Sequence, residues 1–229
     1  MSDIDALNAL LDRRHSCRAF LPDPVPQAVI ERIVATAQKV PSWCNAQPWH
    51  LVITRPPETD RLRDALHAHA RTAGHAPDIA FPRQYAGVYK TRRSDCGWAL
   101  YDAVGVRKGD REGSARQMMQ NFRFFGAPHH ALVTTEADLG AYGVLDCGAF
   151  VTAFTLAAEA LGVASIPQAA VASCAPFLRN WFDLPGHRQI VCGLSFGYAD
   201  RNHPANAFRT GRAPMEEVVT WKGPAASTG

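Results

Sequence analysis

Six consecutive residues near the start of the chain, Arg13-Arg14-His15-Ser16-Cys17-Arg18, gather three guanidiniums, an imidazole and a hydroxyl. In an extended backbone the side chains of Arg14, Ser16 and Arg18 share one face, because strand side chains alternate with period two. Such a row suits a phosphate: an arginine fork meets oxygens in pairs and a serine hydroxyl fills the gap. The same residues also suit a solvated basic face at a helix C-terminus, which the helix dipole favours. A second group, Pro41-Ser42-Trp43-Cys44-Asn45-Ala46-Gln47-Pro48-Trp49, offers neutral donors and acceptors fit for the rim of a flat heterocycle, or for ordinary turn chemistry. A third, Gly162 to Ala170, leaves a helix, makes a short strand and turns at Pro167, with amides able to face an electron-rich ring atom. A fourth, Phe208-Arg209-Thr210-Gly211-Arg212 followed by Ala213-Pro214-Met215-Glu216-Glu217-Val218-Val219, places a basic pair where it would close a phosphate site or belong to a solvated tail.

The elements that must hold these groups follow from periodicity and punctuation. Residues 3 to 13 read as a helix with Leu7, Leu10 and Leu11 on one side and Ser2 or Asp3 as cap. Pro22, Pro24 and Pro26 force an extended segment, and a helix follows from Gln27 to about Lys39. Trp49–Thr54 is a strand, 57–73 an exposed helix, and Ala131–Thr135 a short strand. Residues of about 74–116 mix glycine, proline, aromatics and charge without a period, and read as a lid-like excursion carrying short helices. Asp146–Leu161 is the most apolar helix; apolar nearly all round, it requires cover on most sides and points to a subunit interface. A helix over 175–182 and a buried strand over 189–196 follow, and the arm of about 200–229 is polar and without period.

Composition narrows the class. The chain has 229 residues, 47% hydrophobic and 20% charged, which is ordinary globular usage. A net charge of +3 is too small to argue for nucleic acid. The six cysteines form no CxxC pair and no Cys/His cluster, so they read as reduced thiols of a cytoplasmic protein rather than a disulfide framework or a metal site. The adjacent His129-His130 lack the further ligands that zinc requires. No run of 18 uninterrupted apolar residues marks a membrane span.

Taken together and in this order, the four groups resemble the nitroreductase family. The match runs from Arg-Arg-His-Ser-Cys-Arg through Pro-Ser-x-x-Asn-x-Gln-Pro-Trp and Gly-Val-x-Ser-Ile-Pro to Arg-x-Pro-x-Glu-Glu-Val. The stretch from about Gln120 to Val133, with its Gln-Asn-Phe-Arg-Phe-Phe-Gly-Ala-Pro, is similar to the branch that includes nitrobenzene and nitrobenzoate reductases. The resemblance implies an α+β sandwich with a mainly antiparallel sheet flanked by helices, a single domain over 1–229, and an intertwined homodimer holding FMN at its interface. It implies that Arg14, His15, Ser16 and Arg18, joined by Arg209 and Arg212, hold the phosphate and ring edge. Pro41, Ser42, Trp43 and Asn45 would reach the flavin from the other subunit. Pro167, Gln168, Ala169 and Ala170 would lie along the ring, and Gln120 and Arg123 at its pyrimidine edge. Ala169-Ala170 stand where many relatives carry glutamate-glycine, and Thr210 where many carry lysine.

The chemistry implied is the cofactor's. NADH or NADPH would deliver hydride, a small aromatic acceptor would follow into the same slot, and the kinetics would be ping-pong, with no catalytic acid, base or nucleophile required of the protein. Tyr85, Tyr89 and Tyr101 are the expected acceptor-contacting residues of the lid. Two other readings stay open on the residues alone. One keeps the flavin and changes the reaction to reductive dehalogenation, flavin destruction, or enal or quinone reduction. The other is a basic module that binds nucleic-acid phosphates.

Overall fold

A computed structural model describes residues 2–223. The segment 224–229, the end of the expected arm, lies outside the described residues. Helix α1 (Asp3–Arg13) starts at a reciprocal cap: the Ser2 hydroxyl accepts from the Asp5 amide at 3.3 Å and the Asp5 carboxylate accepts from the Ser2 amide at 3.0 Å. Helix α2 (Gln27–Ala37) buries Ile30, Ile33 and Ala37, the i, i+3, i+7 stripe of its sequence. Strand β1 (His50–Thr54) leads into α3 (Glu58–Ala70), which is not wholly exposed: Thr59, Leu62 and Leu66 face inward.

The excursion holds more order than expected. Helix α4 (Gly87–Ala103) is 17 residues long rather than short, and α5 (Arg111–Met119) follows it. No residue of α4 is buried, so its lack of an apolar period reflects a helix without a core face. Strand β2 (His129–Glu136) precedes α6 (Gly140–Ala160), which begins six residues before the expected Asp146. Strand β3 (Ala164–Gln168), α7 (Ala175–Trp181) and β4 (Arg188–Gly197) complete the set. Pro167 does not make the turn after β3 but sits inside the strand. That is tolerated because the sheet order β1-β2-β4-β3 leaves β3 at an edge, where a missing N–H breaks no ladder.

Every neighbouring pair of strands is antiparallel. Alternation along β2 and β4 divides the core. Ala131, Val133, Leu194 and Phe196 join α2 and α6 around Phe150 and Phe154. Leu132 and Ile190 join α3, α7 and the turn Gln120–Gly126 around Leu66, Phe124 and Leu178. The result is helices on both faces of one sheet.

Helix α6 is long and apolar enough to cross a membrane by length and composition, yet half of that span is buried within the fold. One face packs on the sheet and on α2; the other carries Tyr142, 56% exposed, and Leu145, 66% exposed. A single chain therefore does not supply the cover that this helix's composition calls for.

Candidate functional site

The basic segment is extended because α1 ends at Arg13 and the next residue, Arg14, leaves the helix with a ψ of 123°. Ser16 then bridges Ser165 of β3 in parallel, and the Cys17 amide donates to the Ser165 carbonyl at 3.1 Å. Alternation does the rest. Cys17 is fully buried, while Arg14, Ser16 and Arg18 emerge together into one cleft of about 690 Å³.

The C-terminal arm supplies the opposite wall with Phe208, Arg209, Thr210 and Arg212. Asn206 brings it there. Its Oδ1 accepts from the Arg18 amide at 2.7 Å, and its Nδ2 donates to the carbonyls of Ala19 at 2.9 Å and Asp200 at 2.8 Å. Sequence reasoning missed Asn206, since a lone asparagine in a polar tail carries no signal before its partners are known. Thr152 and Thr155 of α6 and Pro167 of β3 form the floor, and Cys96, also unforeseen, faces in from α4.

Four guanidiniums thus line one cleft: Arg14, Arg18, Arg209 and Arg212. Among the described residues none of the four forms an ion pair; the nearby Glu159 is taken by Arg13 at 3.3 Å. Arg209 donates to the carbonyls of Asn206 and Phe208, and Arg212 to Thr210 and Gly211. Burial holds Arg14 below the ordinary arginine range, and the like charge of Arg212 adds to it. Burial does the same to Arg18, whose guanidinium lies 5.7 Å from the centre of the Phe208 ring. Unneutralised cations collected at such a cost suit an anion such as a phosphate.

His15 lines this cleft and the neighbouring one. Its Nδ1 contacts the Arg13 carbonyl at 3.0 Å, whereas its Nε2 is buried without a partner. Burial holds the imidazole below its usual range, with the Arg209 charge adding to it against the Arg13 carbonyl. It is a neutral group with one unused polar atom.

Gln120 and Arg123 line an adjoining cleft of about 470 Å³ that shares Arg18 with the first. The edge of β3 continues into Ala169 and Ala170, which open a 3₁₀ turn. The Gln168 side chain is turned inward, donating to the Asn121 carbonyl at 2.9 Å, so only its backbone is free to meet a ligand.

Other expected residues lie elsewhere in the single chain. Pro41 and Ser42 line a separate depression against Leu145, Asp146 and Thr152 on the uncovered face of α6. Trp43 is exposed and stands 4.8 Å from the Tyr142 ring, with its amide donating to the Asp146 carboxylate at 3.0 Å. Asn45 is exposed, with a φ of 55°. Tyr85 and Tyr89 are exposed and Tyr101 packs 5.6 Å from Trp98; none of the three lines the arginine cleft.

Among the described residues no cluster of histidine, cysteine or carboxylate could hold a metal. His129 is structural: its Nε2 accepts from the Val25 amide at 2.9 Å. The six cysteines are all unpaired, with Cys44 exposed and Cys174 buried.

With this geometry in place, the nitroreductase family model matches residues 11–198. The chain belongs to the nitroreductase family. Among relatives of this nitroreductase-family protein, the 4-nitrobenzoate reductase of Pseudomonas putida is 34% identical over 221 residues, 96% of each chain. The nitroreductase NfnB of Mycolicibacterium smegmatis is 33% identical, over 93% of this chain and 92% of its own. The crystal structure of the FMN-dependent nitroreductase NfnB from Mycobacterium smegmatis in complex with NADPH superposes with a TM-score of 0.92 at 30% identity, covering 97% of this chain and all of that one. The nitroreductase sandwich expected from the motifs is therefore the observed fold.

Proposed function

We propose that this nitroreductase-family chain is an FMN-dependent reductase that oxidises NADH or NADPH and reduces nitroaromatic or quinone-like acceptors, working as a homodimer in the cytoplasm. One observation carries the reading: Arg14 and Arg18 from one end of the chain and Arg209 and Arg212 from the other meet in one cleft without a neutralising carboxylate. Relatives that span nearly the whole chain bear nitroreductase names, and one superposed neighbour is FMN-dependent and bound to NADPH.

The cleft fits the cofactor. Arg14, Ser16, Arg18, Arg209 and Arg212 would hold the FMN phosphate, and the unpartnered Nε2 of His15 gives a further polar contact at that end. Pro167 to Ala170 would border the ring on one side and Gln120 and Arg123 on the other. Once bound, FMN supplies the hydride and electron chemistry between nicotinamide and acceptor. The protein then needs only to orient the ring, place donors at its edges and exclude water.

Pro41, Ser42, Trp43 and Asn45 would complete the site from a second subunit, because they flank the face of α6 that one chain leaves uncovered. Tyr85, Tyr89 and Tyr101 belong to the excursion that would close over the acceptor. The unpaired thiols suit a reducing compartment. The arginines face a cleft shared with threonines and a proline rather than a continuous strip, which favours a small phosphate ester over nucleic acid.

The test is direct. The purified protein should be yellow or turn yellow on adding FMN, and should bleach when NADH or NADPH is added without oxygen. Nitrobenzoate or menadione should then restore the colour. Protein that takes up no FMN would sink the proposal.

A further inference from the structure

The mechanism leaves one buried imidazole unused. His130 of β2 is fully buried, and its cross-strand partner is Ser195 of β4. The Nδ1 of His130 lies 3.0 Å from Ser195 Oγ, Ser195 Oγ bonds Gln168 Oε1, and Gln168 Nε2 reaches the Asn121 carbonyl at 2.9 Å. The ring of His130 also stacks on Phe124 at 4.0 Å. The contacts close a loop, Asn121–Gln168–Ser195–His130–Phe124, that grips the turn Gln120–Gly126 at two points.

Elementary donor counting orders every proton in this loop. The Asn121 carbonyl can only accept, so Gln168 must present its amide nitrogen there and its oxygen to Ser195. The Ser195 hydroxyl therefore donates to Gln168 and must itself accept from Nδ1–H of His130. That leaves Nε2 without a hydrogen, and Nε2 is in fact buried with no partner. Gly193 makes room for it: a Cβ there would lie 2.9 Å from Nε2 and 2.5 Å from Cε1. With no site for a second N–H, burial pushes the imidazole down to about 3.

The turn so held is costly. Phe124 and Phe125 both lie in the left-handed region, with φ of 56° and 53°. Gln120 and Arg123 project from this same turn into the cleft beside Arg18. Gln168 is the last residue of β3, immediately before the amides of Ala169 and Ala170.

We propose that Gln168, Ser195 and His130 are positioning residues: a buried brace that sets the spacing between the Pro167–Ala170 edge and the Gln120–Arg123 turn, and so the width of the slot for the flavin ring. The inference rests on the FMN reading of the cleft. Ser195→Ala and Gln168→Leu each cut the chain of donors. Each should weaken FMN binding about tenfold, the scale of one buried hydrogen bond, and shift the visible bands of the bound flavin. Each should also speed amide hydrogen exchange in 120–126 and 168–174, with or without FMN. His130→Asn retains an N–H at the Nδ1 position but loses the ring stacked on Phe124, so its FMN affinity should fall between wild type and Ser195→Ala. Ile33→Ala, a cavity in the other half of the core, should lower thermal stability while leaving FMN affinity and exchange in the two turns unchanged.

Wild-type affinity and exchange in Ser195→Ala would overturn the brace, as would a His130→Asn variant as weak as Ser195→Ala, or an Ile33→Ala variant that loosens the same turns. If the wild type takes up no FMN while Ser195→Ala still loosens both turns, the flavin reading fails instead, and the slot-setting role fails with it.

Discussion

Arg14 and Arg212 come from opposite ends of the chain, yet the Arg212 charge helps push the Arg14 guanidinium below its ordinary range. A like-charge contact of this kind destabilises the empty cleft and favours a phosphate within it. Arg212→Ala should therefore leave the thermal stability of FMN-free protein unchanged or raised. It should weaken FMN binding about tenfold to a hundredfold, the scale of a charge-assisted hydrogen bond. Fluorescence titration and thermal melts with and without FMN check both halves, and equal FMN affinity in the variant would contradict the assignment. His130 gives a second prediction. Folded, it stays neutral down to about pH 3; unfolded, it takes a proton near 6.5. The unfolded chain binds the extra proton within that window, so His130 contributes stability above pH 6.5 that is lost as pH falls toward 3. His130→Asn should flatten the acid limb of the stability curve between those values, as read by urea unfolding at a series of pH values.

At the scale of elements, the arm depends on one anchor. Asn206 satisfies the Arg18 amide and the carbonyls of Ala19 and Asp200. Removing it leaves the part-buried Arg18 amide unpaired, whereas the Ala19 and Asp200 carbonyls keep the amides of Asp200 and His203. Asn206→Ala should cost about 1–2 kcal/mol of stability and weaken FMN binding as well, because Arg209 and Arg212 ride on the same arm. Calorimetry and FMN titration on one preparation test this; loss of stability with unchanged affinity would detach the arm from the site. Helix α4 joins the arm through Arg92 and Glu217 at 2.7 Å, although both side chains are about half exposed and the pair adds little stability by itself. It lines the cleft with Cys96 and packs near Pro204–Asn206.

For the whole molecule, the uncovered face of α6 is the feature that a single chain leaves unresolved. Leu145 is 66% exposed there, so Leu145→Glu should change the stability of an isolated chain by no more than about 0.5 kcal/mol. In a homodimer the same substitution buries a charge against the partner. Sedimentation should then show monomer in place of dimer, with FMN lost because Ser42 to Asn45 no longer reach the site. A Leu145→Glu protein that remains dimeric would move the interface elsewhere.

Local chemistry was legible in the residues themselves. The Arg14, Ser16, Arg18 face followed from period-two alternation, the Ser2 cap from its hydroxyl, the helices and strands from apolar spacing, and the family from ordered motifs. The length of α4 was not, because a helix with no buried face has no apolar period to read. Nor was Pro167 inside a strand, since edge position is a property of the sheet and not of the residue. Asn206, Cys96 and the Gln168–Ser195–His130 brace were equally hidden. Their roles rest on partners far away along the chain, and such pairings exist only once the chain has closed on itself.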